Sequence, residues 1–198
     1  MWPAHITSKF DTTGPGGDYD ESTYYSPYNA LLNYLFPSEE DFMIIPQFKR
    51  PQQAKSIDFT TVFIIERGKK PVFFMEIEPA GHLHQPSSRR YADNQVRERA
   101  DDFIADGLGI KTVYGVSAIG TRMCLYQLSQ ETREIEPPAI NNQLHRSIDT
   151  VPEKWWSLDV LSPEGEKRLR EVVAHVKMMC AEHEEAVRYV FSIVVFVH

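Results

Sequence analysis

Apolar residues recur along this chain with two different periods, and the alternation of the two sets out the elements. From Tyr24 to Phe36 the spacing is helical, with Tyr28, Leu31, Leu32 and Leu35 on one face and Pro37 as a stop. Pro27 is expected in the first turn, where proline is tolerated. Phe42 to Phe48 reads as a short strand. Ile57 to Glu66 and Val72 to Glu78 are β-branched and aromatic runs joined by the turn sequence RGKKP. Neither run alternates strictly, so both are expected as central strands covered on two faces. A helix is predicted over residues 87–106, with Ala92, Val96, Ala100 and Phe103 as its apolar stripe and Gly107 and Gly109 ending it.

Two further strands follow, Lys111 to Ile119 and Arg122 to Leu128, joined by a tight turn at Gly120. Residues 129–160 read as irregular, rich in proline and marked by the pair Trp155–Trp156. A last helix starts from Ser162 as N-cap with Pro163 in the first helical position, and runs to about Arg188. The order helix, three strands, helix, two strands, helix predicts an α/β to α+β fold, a central mixed β-sheet flanked by helices. Residues 1–20 are rich in Gly, Pro, Thr and Asp and are expected to form a flexible segment. The core then spans 21–128, and 129–198 adds an irregular segment and the C-terminal helix packed on it.

Composition narrows this little. The chain has 198 residues and 42% apolar content, which suits one compact domain. A net charge of −7 disfavours non-specific nucleic-acid binding but leaves room for a local basic groove. The two cysteines, Cys124 and Cys180, lie far apart in apolar surroundings, which points to small core residues in a reducing compartment, cytoplasmic or nuclear. The apolar run Tyr189 to Val197 is shorter than the ~20 residues a membrane helix needs, so no membrane association is expected.

The chemistry is carried by acids within greasy strands. Glu76 and Glu78 share a strand face, about 7 Å apart. Asp58 stands near the start of the preceding strand, and a hairpin through RGKKP returns Glu76 and Glu78 to the same end. Three partly desolvated carboxylates in one place repel one another, and a hard divalent cation relieves that repulsion. The alternative is that these are solvated acids at strand ends. Lys49, Arg50, Lys55, Lys69, Lys70, Arg89, Arg90, Arg97 and Arg99 could hold phosphates, although Arg90, Asn94, Arg97 and Asp101 lie opposite the helix stripe and read as solvent-facing. Gln95 and Arg99 flank that stripe, from where they could look along the sheet edge toward the acids. His82 and His84 follow the acid strand, as surface loop residues or as substrate contacts. Trp155 and Trp156 stack on bases or, more commonly, anchor an irregular segment to a core.

The element order, the Asp-bearing strand, the strand ending Glu76-Ile77-Glu78 and a following helix with Gln95 resemble the PD-(D/E)XK, or restriction-endonuclease-like, nuclease superfamily over about residues 24–128. The resemblance implies an αβββαβ core and Mg²⁺ (or Mn²⁺) held by Asp58 and Glu76. It implies Gln95 as the supporting polar residue, and an acid on the first helix for which Glu21 is the candidate. The family's lysine, two residues beyond the second acid, is replaced by Glu78, which then serves as metal ligand or general base, or marks a copy without catalysis. The implied activity is a Mg²⁺-dependent phosphodiesterase acting on DNA or RNA. The alternative is an inactive module of the same fold that binds nucleic acid or protein. Many enzymes of this kind act as homodimers.

Overall fold

The computed structural model describes residues 1–11, 20, 22–49, 60–105, 110–140 and 149–195. Its elements are α1 (Ala4–Phe10), α2 (Ser22–Leu35), β1 (Phe42–Lys49), β2 (Thr60–Arg67), β3 (Lys70–Glu78), α3 (Pro86–Ala105), β4 (Thr112–Ile119), β5 (Arg122–Ser129), β6 (Ile135–Glu136), β7 (Leu158–Asp159) and α4 (Pro163–Val195). They build a mixed sheet in the order β1-β2-β3-β4-β5-β6, with β7 also paired to β5. Every pairing is antiparallel except β3 with β4, which run parallel because α3 carries the chain across between them.

The β2–β3 hairpin turns on Gly68 and Lys69, both with positive φ, the conformation a two-residue hairpin favours because it matches strand twist. A register shift follows between Ile65 and Glu66, next to Pro71, which has no N–H to give the ladder. From Val72 to Glu78 every residue of β3 is buried, as its unbroken apolar run predicts.

Register assigns the two faces of the sheet. Phe73 of β3 lies beside Tyr114 of β4. The Phe73 ring packs on Phe36, at the end of α2, and Tyr114 hydrogen-bonds His175 of α4. This is the face of α2 and α4. Phe74, Glu76 and Glu78 point the other way, beside Gly115, Ser117 and Ile119. Here Phe74 meets Phe103 of α3 edge to face, 5.3 Å between centroids. Gly115 is required at this point, because a Cβ there would collide with the Phe74 ring.

α3 starts with Pro86 and buries the predicted stripe of Ala92, Val96, Ala100 and Phe103. Arg90, Asn94 and Asp101 are exposed, as their positions predict. α4 starts as expected, with the Ser162 hydroxyl accepting the Gly165 N–H at 3.0 Å. It continues past Arg188 to Val195. Among the described residues no helix is long and apolar enough to cross a membrane.

Some expectations need correction. The segment expected to be flexible contains α1, whose Ile6 and Phe10 are buried together with Trp2 just before it; the Trp2 indole donates to the Val160 carbonyl at 2.7 Å, and residues 12–19 lie outside the described residues. Because α2 begins at Ser22, Pro27 sits in its second turn and removes an N–H that would otherwise reach back to Thr23. The stretch 129–160 includes two short strands, β6 and β7, which extend the sheet edge. Trp156 is fully buried and donates to Ser117, the anchoring role expected of such a pair.

Candidate functional site

Glu76 and Glu78 occupy the last three residues of β3, on the face that α3 covers, and each is only 3% exposed. A carboxylate loses most of its hydration at such a position and needs a partner of opposite charge or donors of hydrogen bonds. α3 brings one: the Nε of Arg99 stands 3.5 Å from Oε1 of Glu76, with both side chains buried. Immediately after β3 a single 3-10 turn, Ala80–His82, folds His82 back, and its Nδ1 lies 3.0 Å from Oε2 of Glu78. Gln95 lies one helical turn before Arg99, partly buried, with its amide oxygen enclosed.

The end of β3 is fixed from below by the β4–β5 turn. Gly120 adopts φ +60°, and its N–H donates to the Glu78 carbonyl at 2.9 Å. The buried Tyr28 hydroxyl of α2 donates to the Gly120 carbonyl at 2.7 Å, so α2 braces the strand end that carries the acids. Burial holds the Tyr28 phenol well above its usual pKa, so it stays a neutral donor.

The wall beside the acids is built by Arg89. Its buried guanidinium donates to the Val151 carbonyl at 2.9 Å and the Leu83 carbonyl at 2.6 Å, and pairs with Asp149. This ties the start of α3 to the 149–156 segment, which seats Trp156 over Ser117, the neighbour of Glu76 in β4. The solvent-facing reading is corrected for Arg97, which is part-buried, pairs with Asp93 and donates to the Pro137 carbonyl at 2.8 Å; Arg89, a candidate phosphate holder, is buried instead, and Arg99 faces the acids, as its place beside the stripe allowed.

A second polar group lies further along the same face. Asp93 of α3 accepts hydrogen bonds from the buried Tyr126 hydroxyl and from Arg97, each at 2.9 Å. Burial pushes the Cys124 thiol up to about 12, and burial, Cys124 and Asp93 together push the Tyr126 phenol higher still. This group belongs to the core.

Of the predicted site residues, Glu76, Glu78 and Gln95 are brought to one face, under or on α3. Asp58 lies outside the described residues, two positions before Thr60; the register of β2 with β3 pairs Thr61 with Ile77. Glu21, Arg50 and Lys55 also lie outside them. Among the described residues no three His, Cys, Asp or Glu side chains converge as a metal site. The spacing of Arg99, three past Val96 and four before Phe103, allowed it to look toward the acids; that its partner is Glu76 was not legible. His84 is exposed and meets Glu153 at 3.3 Å, away from the acids' own partners.

No family model, curated protein or solved structure matches the chain.

Proposed function

We propose that this protein is a metal-dependent phosphodiesterase of the restriction-endonuclease-like kind, acting on DNA or RNA. The observation that carries the reading is the pair of buried carboxylates, Glu76 and Glu78, on the last three residues of a central strand whose following helix supplies Gln95 and Arg99. The strand directions support it: α2, three antiparallel strands, α3, then β4 parallel to β3 is the αβββαβ order that the resemblance implies.

The donors available suit a hard cation, since Glu76 and Glu78 offer carboxylate oxygens. With Asp58 they would hold Mg²⁺ or Mn²⁺. Such an ion, when bound, polarises a phosphoryl oxygen and lowers the pKa of a water. The chain's own residues do the rest. Arg99 holds Glu76 in place and puts a fixed positive charge beside the reacting phosphate. His82 orients the Glu78 carboxylate, and Gln95 positions the attacking water or Glu78. Incubating plasmid, single-stranded DNA and RNA with Mg²⁺, Mn²⁺ or a chelator tests this. Cleavage that needs the metal and disappears in Asp58→Asn is the expected result; chelator-insensitive cleavage, or full activity in that variant, would refute it.

A second reading has its own observation. Arg99 and His82 already compensate the two acids, and Glu78 occupies the place of the family's lysine. On that reading the fold is a non-catalytic module that binds nucleic acid or protein, and no substrate is cleaved under any metal condition.

A further inference from the structure

At the opposite end of β3 the surface has a different character. A cavity of about 300 Å³ opens between the β2–β3 turn, the segment entering β4 and residues 180–188 of α4. That volume lies at the small end of the range for ligand pockets, ~300–1,000 Å³. Its floor is apolar, formed by Val72 and Ile110, both buried, with Val187 from α4. Its rim carries three cations, Arg67, Lys70 and Arg188, and the carboxylate of Glu184; Lys70 has a contact of its own, and Arg67 is paired with Glu184. In a chain of net charge −7 this is a local excess of positive charge.

Glu184 does not offset that excess evenly. It is paired with Arg67, whose Nη2 donates to Oε2 at 3.2 Å and whose Nε stands 2.8 Å from Oε1. Arg188 forms no salt bridge with any described residue. The rim therefore presents a cation without a carboxylate, directly above an apolar floor. Lys70 begins β3 and Glu78 ends it, so about 26 Å of strand separates this cavity from the acids. It is a separate place on the molecule, and the argument for it does not depend on phosphodiesterase activity.

We propose that this cavity binds a free amphiphilic anion, a carboxylate or phosphate monoester on a short apolar chain. The chain would lie on Val72, Ile110 and Val187, and the head would meet Arg188 and Lys70. Such a ligand bridges the hairpin turn and α4 just where α4 loses cover, since residues 181–183 and 185–189 are exposed. Binding would therefore slow amide exchange along this part of α4.

The test is calorimetry and thermal melting of the full chain with octanoate and octyl phosphate. Octan-1-ol serves as the uncharged body and inorganic phosphate as the bare charge. The expected result is one saturable site for at least one of the two amphiphiles, with octan-1-ol and inorganic phosphate at least tenfold weaker. Lys70→Glu with Arg188→Glu should lose binding tenfold or more. Both residues are exposed, so the variant should melt within a few degrees of wild type without ligand, and Val187→Asp gives an independent second loss. Equal binding of octan-1-ol, unchanged binding in the charge-reversed variant, or no site for either amphiphile would overturn the proposal. So would binding only to anionic phosphatidylserine vesicles, which would mean a lipid surface in place of a free molecule.

Discussion

Two sets of carboxylates are buried beneath or on α3, and they are served differently. Asp93 receives two well-formed hydrogen bonds at 2.9 Å, from Tyr126 and from Arg97, deep in the core. Glu76 has Arg99 at 3.5 Å, and Glu78 has a histidine from the next turn, itself about one-quarter exposed. The first set is a structural acid. It closes a polar network that locks β5 to α3, and any ligand would have to break that network to reach it. The second set stands at a strand end, beside a turn held by Gly120 and Tyr28, where the partners are a guanidinium and an imidazole. Burial alone does not distinguish them; the partners and their place in the sheet do.

The largest expected effect falls on activity. Asp58→Asn or Glu76→Gln should lower metal-dependent cleavage at least 100-fold, a barrier increase of about 2.7 kcal/mol. Asp93→Asn should leave cleavage within a few-fold of wild type. Comparable losses from Asp93→Asn would mean that the two sets act as one.

Stability should respond in the opposite sense. Asp93→Ala strands the buried Tyr126 hydroxyl and the Arg97 guanidinium, and should cost about 1–3 kcal/mol in urea unfolding. If Asp58 serves the metal and not the fold, Asp58→Asn should change stability by less than 1 kcal/mol on the same measurement.

The core network also contributes to the loss of stability at high pH. Cys124 titrates at about 12 in the folded protein and Tyr126 higher still, first because both are buried and then because they lie near one another and Asp93. Unfolded, they titrate near 8.5 and 10. The folded state therefore holds more protons at high pH. The stability this contributes is complete below about pH 8.5 and is lost as pH rises through the folded values. Denaturation midpoints from pH 8 to 11 should fall, and fall less steeply in Asp93→Asn, which removes one of the charges that raises both groups. The smallest effect is kinetic. Cys124 and Cys180, 3% and 4% exposed with raised pKa values, should react with a thiol reagent at pH 8 far more slowly than in the unfolded chain.

Much of this architecture was written in the periodicities. The unbroken run of β3, the α3 stripe, the Ser162–Pro163 start of α4 and the Gly120 turn all follow from local sterics and apolar spacing. What was hidden depended on other signals. Trp2, Ile6 and Phe10 have helical spacing, but the Gly- and Asp-rich stretch after them dominated the composition of the segment. Arg89 looks like a surface charge until the chain brings the Val151 carbonyl to it, which no local pattern encodes; for Arg99 the spacing beside the stripe gave the direction toward the acids but not its partner, Glu76. The two-residue strands β6 and β7 are too short to leave a period. For the candidate site, the acids on β3 were legible because carboxylates in an apolar strand demand an explanation. Their compensation by Arg99 and His82 became visible only in three dimensions.

The most direct test of the central claim is the shift in melting temperature on adding Mn²⁺, measured on wild type, Asp58→Asn and Asp93→Asn. If the acids at the end of β3 hold a metal, wild type and Asp93→Asn should both rise by about 5–10 °C at a hundredfold excess over Kd, and Asp58→Asn should not. No rise in wild type, or an equal rise in Asp58→Asn, would contradict the claim and leave Glu76 and Glu78 as buried acids compensated by Arg99 and His82 alone.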